Sequence, residues 1–235
     1  VIDTEHDVAG CRRAHARLLD HLAHLSDEDA AAPSLLPGWT VAMLVTHLAR
    51  NADSHRGMVE GAAVGEPRRQ YPSAESRDAD IALGRGRAAG EVVADLRGAV
   101  DALDAAWAAL PEARWSGHAL TTDGLPNLVA DLPFQRWREV EVHLVDLGLG
   151  FTHHEWDPAY VATELEQCVG ALDDRLAIGT GVSLTASDLG RTWAAGAERV
   201  TMRVEAPAAD LVAWLLGRRT DGFPEIGPWA YTRRS

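Results

Sequence analysis

The positions Val8, Cys11, His15, Leu18, Leu22 and Leu25 repeat at helical spacing, which predicts an amphipathic helix from near Asp3 or Thr4 to Leu25. The segment AAPSLLPGW interrupts the pattern with Pro33, Pro37 and Gly38. Thr40 then offers a cap for a second helix carrying Val41, Leu44, Val45, Leu48 and Val59. After the loop GEPRRQYPS, residues from about Ser76 to Leu110 read as one long helix with Val93, Leu96, Val100, Leu103 and Trp107 on a single stripe, although Gly84, Gly86 and Gly90 weaken its first half. The loop PEARWSGHALTTDGLP leads to a fourth helix with Pro133 in its first turns, running to about Leu147 and ended by Gly148 and Gly150.

Beyond FTHHEWDP the pattern changes. A fifth helix is expected from about Asp157 to Leu176, followed by glycine-punctuated, strand-like segments. VTMRVE alternates Val200, Met202 and Val204 with Thr201, Arg203 and Glu205, the period of a strand, and PAADLVAWLLG returns to helix. The expected fold class is therefore α+β: a four-helix bundle over residues 1–151 and a smaller α/β domain over residues 152–235.

Within the helical stripes, Glu139 and His143 stand four residues apart in RWREVEVHLVDLG, so that their side chains share one face about a turn apart. His47 stands in the equally apolar second helix, and a bundle brings ligands on different helices to one point. Two histidines and a carboxylate suit zinc, and three protein ligands leave a fourth position for water or a substrate atom. Taken singly, Glu139 and His143 also read as a surface ion pair, and His47 as a half-buried core histidine. His55, eight residues after His47 with Asn51 between them, is the rival ligand, with a supporting or surface role the more expected one. Asp146 reads as a helix-end charge or as an acceptor orienting the ring of His143. His153 and His154 read as linker residues, and Trp39 and Trp137, two of eight tryptophans, as walls of the pocket.

Composition narrows the partners. The 235 residues are 46% hydrophobic and 24% charged, as in ordinary globular chains, and no run approaches the length of a membrane span. The charged N-terminal stretch does not resemble a signal peptide, and a cytoplasmic protein, monomeric or weakly homo-oligomeric, is expected. A formal charge of -13 argues against nucleic-acid binding and means that an anionic substrate needs local cations. Those cations are all arginines, since the chain contains no lysine, which also excludes Schiff-base chemistry on a lysine. Cys11 and Cys168 lack C-x-x-C spacing and read as buried thiols. There is no H-E-x-x-H, G-x-S-x-G or P-loop, and GRGRAAG matches a dinucleotide-binding turn only superficially, with no strand before it.

Three stretches in order, PGWT with THLARNA, then RWREVEVHLVDLG, then LLGRRTDG, resemble the mycothiol-dependent maleylpyruvate isomerases, a branch of the DinB-like metal-dependent thiol enzymes. The resemblance spans most of the chain. It implies zinc held in the bundle by His47, Glu139 and His143, with mycothiol as the thiol cofactor, and a C-terminal α/β domain whose Arg218, in the GR-x-x-DG segment, reaches the active-site cleft. The implied reaction is reversible thiolate addition to the cis double bond of maleylpyruvate, with rotation and expulsion giving fumarylpyruvate, while Arg218 holds a carboxylate or enolate. A mycothiol S-transferase acting on another electrophile is the alternative, and a non-catalytic small-ligand-binding protein a more distant one. Read without the resemblance, Arg218 is a loop arginine paired with Asp221. The adjacent Arg219 and the tail PWAYTRRS depart from the family pattern and leave the substrate open.

Overall fold

The computed structural model describes residues 2–228. Beyond Pro228 the tail lies outside the described residues. The fold is α+β, and the described chain divides into two compact units, one up to residue 151 and one from residue 152.

In the first unit, α1 (Thr4–His21) is capped by the Asp3 carboxylate, which accepts from the His6 N–H at 3.0 Å. It stops short of Leu25 because the following N–H groups close tight turns, Ala23 onto Asp20 and Leu25 onto Leu22. Ser26 then caps a short helix, α2 (Asp27–Ala31). The third helix, α3 (Val41–Val64), starts at Thr40, whose hydroxyl accepts from the Met43 N–H at 3.2 Å, and ends at Gly65 in the left-handed conformation. Residues 41–49 of α3 are all buried, so this helix runs through the middle of the bundle.

The long helix expected from Ser76 to Leu110 is two helices, α4 (Ala74–Ala82) and α5 (Ala89–Ala109). The chain between them packs directly onto α3: a Cβ on Gly84 would come within 2.8 Å of the Thr46 Cβ. Gly86, at φ +79, then turns the backbone. The N–H of Ala89 at the start of α5 is satisfied by the Asp27 carboxylate of α2 at 2.7 Å. The following loop holds a small antiparallel hairpin, β1 (His118–Leu120) and β2 (Pro126–Leu128), before α6 (Leu132–Asp146). Helix α3 packs chiefly on α5 and α1 on α6, with α3 also against α6.

The core of α6 is unusually polar. Arg136 is wholly buried and donates from Nε to His15 Nε2 at 3.1 Å and from Nη1 to the Leu48 carbonyl and Asn51 Oδ1, both at 2.9 Å. On the opposite side, the buried Glu141 carboxylate accepts from Trp137 Nε1 at 2.9 Å and from Arg17.

In the second unit, α7 (Pro158–Gly170) is shorter than the expected helix to Leu176, and a separate 3-10 turn covers Asp173–Arg175. The Asp173 carboxylate accepts the Gly196 N–H, tying that turn to the sheet. Strands β3 (Gly181–Ala186), β4 (Arg191–Gly196) and β5 (Val200–Ala206) lie in the order β4-β3-β5, with β3 antiparallel to β4 and parallel to β5. Val182, Leu184, Ala186 and Val204 are buried, and α7 packs on α8 (Ala208–Leu215).

Candidate metal centre

Within the first unit, α3 and α6 bring His47, Glu139 and His143 together. His47 Nε2 lies 3.0 Å and His143 Nε2 3.4 Å from the same Glu139 oxygen, and the two imidazole rings meet edge to face at 4.9 Å between centroids. Ligand atoms of all three fall within 4.8 Å of one another. Zinc bonds of 2.0–2.2 Å in tetrahedral geometry put neighbouring ligand atoms about 3.3 Å apart, so this spacing suits such an ion. The donor set of two imidazole nitrogens and a carboxylate oxygen is also a zinc set, with one position left over.

The surroundings orient the ligands and set their charge. Asp146, one turn beyond His143, accepts from His143 Nδ1 at 2.9 Å, leaving Nε2 to face Glu139. Burial pulls the His143 pKa down, but the hydrogen bonds with Asp146 and Glu139 outweigh it and the net direction is upward. Burial pushes Glu139 up, and its bonds to His143 and His47 reverse this and hold it well below the usual carboxylate range. His47 is lowered to about 4, chiefly by burial against the opposing bond to Glu139. It is thus a neutral imidazole, the form that binds a metal. Trp39 meets the His47 ring edge to face at 5.7 Å.

Other residues singled out in the sequence fall elsewhere. Trp137 faces away from the ligands: it is buried against Phe134 and His6 and bonded to Glu141, so only Trp39 of the two tryptophans lines the centre. His55 is neither a ligand nor a surface residue. It is wholly buried, with its pKa lowered to about 3 by burial and then by the charge of Arg136. Cys11 and Cys168 are free and buried. In the second unit, His153 is not a plain linker residue, since its Nε2 bonds Asp210 Oδ1 at 2.7 Å and His154 lies 3.8 Å from that oxygen. These three form the other metal-like group among the described residues, but Arg219 pairs with the same Asp210 oxygen and already neutralises it. Arg218 is half-buried, with Nη1 donating to the Leu216 carbonyl at 2.9 Å and its N–H to Ala213 at 2.7 Å.

The chain's sequence matches the family described as the mycothiol maleylpyruvate isomerase N-terminal domain over residues 11–148. The chain belongs to this family. Its fold is similar to the crystal structure of the mycothiol-dependent maleylpyruvate isomerase, with a TM-score of 0.86 and 26% identity over 97% of each chain. It is likewise similar to a histidine-to-alanine mutant of that isomerase, with a TM-score of 0.86 and 25% identity over 97% of each chain. No curated protein matches the chain.

Proposed function

We propose that the protein is a metal- and mycothiol-dependent cis-trans isomerase that converts maleylpyruvate to fumarylpyruvate. The observation that carries this reading is the convergence of His47, Glu139 and His143 on one point, within a chain of this family. These three residues would hold a zinc ion. When bound, zinc would keep the thiol of mycothiol deprotonated at neutral pH, as a nucleophile able to add reversibly to an activated double bond.

The protein's own residues would act around that chemistry. Glu139 contributes negative charge to the ligand set, and the neutral His47 and the Asp146-oriented His143 contribute nitrogen lone pairs. Both cysteines are buried and outside the ligand cluster, which fits a nucleophile supplied by a small molecule rather than by the chain. Arg218 would hold a substrate carboxylate or developing enolate charge, a role suited to its guanidinium fork.

The test is to incubate zinc-loaded protein with maleylpyruvate, with and without mycothiol, and to follow fumarylpyruvate and thiol-adduct mass. Turnover to fumarylpyruvate only in the presence of mycothiol is expected. Accumulation of a stable adduct without isomerisation would replace the isomerase by an S-transferase.

A further inference from the structure

His47 and Asn51, four residues apart, lie on one stripe of α3, and Arg136, Glu139 and His143, three and four apart, lie on one stripe of α6. Two contacts join these stripes as successive rungs. His47 Nε2 lies 3.0 Å from Glu139 Oε2, and one turn further along α3 the Asn51 Oδ1 accepts from Arg136 Nη1 at 2.9 Å. Numbers rise on α3 as they fall on α6, as in antiparallel neighbours. Arg136 Nη1 also donates to the carbonyl of Leu48, the residue after His47, at 2.9 Å. One nitrogen of α6 is thereby fixed to both the backbone and a side chain of α3, within about a turn of a ligand on either helix.

Stability alone does not account for this arrangement. Arg136 is wholly buried, and its partners are neutral acceptors: His15 Nε2 at 3.1 Å, the Leu48 carbonyl and the Asn51 amide oxygen. A buried cation held by neutral acceptors recovers its desolvation cost incompletely, and an apolar side chain of similar volume commonly serves stability as well. What the apolar side chain lacks is direction. The contact of α3 with α6 is slighter than that of α3 with α5 or of α1 with α6, so general packing holds the two ligand helices less firmly than the rest of the bundle. A metal tolerates little slack, since its ligand distances must fit within about 0.2 Å.

We propose that Arg136 is a positioning residue for the metal centre: its forked hydrogen bonds to Leu48 and Asn51 fix the register of α6 against α3 and so set Glu139 and His143 against His47. The role rests on the metal-binding reading of that centre and not on which thiol reaction it performs. Arg136 is not a ligand and acts through the two helices that carry the ligands.

The experiment measures zinc affinity by chelator competition and the visible spectrum of the cobalt(II)-substituted protein, with urea unfolding of the metal-free form alongside. Arg136→Met removes the fork. Its zinc affinity is expected to fall by about 10-fold, the lower end for loss of a group that supports metal ligands, with cobalt bands shifted from those of wild type. The sign is diagnostic, because removing a positive charge near a dication would by itself strengthen binding. Arg136→Lys keeps the charge and a donor nitrogen and is expected to recover part of the affinity. Asn51→Ala keeps the charge and loses one bond to α3, and is expected to weaken zinc by a smaller factor. Leu103→Ala opens a cavity on α5, which carries no ligand, and is expected to lose stability with zinc affinity unchanged. Wild-type zinc affinity and cobalt bands in Arg136→Met, or in Asn51→Ala where Arg136→Met does not fold, overturn the role of Arg136 alone, as does an equal loss of affinity in Leu103→Ala. Wild type that takes up neither metal removes the metal reading and this role together.

Discussion

His143 Nδ1 lies 2.9 Å from the Asp146 carboxylate, and this contact decides which ring nitrogen is free for a metal. With Nδ1 committed to Asp146, Nε2, 3.4 Å from the Glu139 oxygen, is the nitrogen left for a metal. Asp146 is itself buried at the end of α6, where Leu35 donates to its backbone carbonyl at 2.8 Å, so the carboxylate has little freedom. Asp146→Ala should leave all three ligands present but the ring unoriented. Zinc affinity, measured by competition with a chromophoric chelator, is expected to fall by about 10- to 100-fold. Unchanged affinity would mean that packing alone orients His143.

Removing a ligand is a harsher change than removing its support. Glu139→Ala should abolish stoichiometric zinc and thiol-dependent activity together, while far-ultraviolet circular dichroism stays close to wild type because α6 buries its apolar stripe without the carboxylate. Elemental analysis of the dialysed protein reads this directly. One equivalent of zinc retained in the variant would remove Glu139 from the ligand set.

The features legible in the sequence are those with a local cause. Thr40 caps α3 through its own hydroxyl, and Gly148 ends α6 because it takes φ +71, so both boundaries can be read from a few residues. The break between α4 and α5 has a distant cause, the contact of Gly84 with Thr46, which sequence spacing does not carry. The β1–β2 hairpin has strands of three residues, too short to establish a period of two. His47, Glu139 and His143 stood out as polar interruptions of apolar stripes. Trp137, expected as a wall of the pocket, falls on the other side of α6, because a residue two positions before Glu139 projects about 200° away from it. The partner of His153, by contrast, lies 57 residues away at Asp210, and only the folded second unit joins them.

The α1–α6 contact gives a stability prediction. Gly10 packs against the Trp137 ring so closely that an added Cβ would overlap ring carbons, and Trp137 is wholly buried. In an exposed helix, Gly→Ala stabilises by up to about 1 kcal/mol. Here overpacking opposes that gain, and Gly10→Ala is expected to destabilise by about 1–3 kcal/mol in urea unfolding. Gly98 on α5 has no heavy atom within 4 Å of its added Cβ, so Gly98→Ala should show the opposite sign and serves as the control.

Acid sensitivity should come in part from histidines outside the ligand set. His15 is lowered to about 4 by burial, against a bond to Asp104 and with Arg136 adding to the drop; His55 is lowered to about 3 by burial and Arg136. In the unfolded chain both titrate near 6.5. Between that value and the folded ones the unfolded chain binds more protons, so stability is fully present above about pH 6.5 and falls as the pH drops. Each histidine contributes a slope of about 1.4 kcal/mol per pH unit in that window. His55→Leu removes one titrating group while keeping a buried apolar side chain beside Arg136. Its stability, measured by urea unfolding from pH 7 to pH 5 on metal-free protein, where no metal loss enters and His47 titrates alike in both, is expected to fall less steeply than that of wild type. Parallel curves would show that another group carries the acid transition.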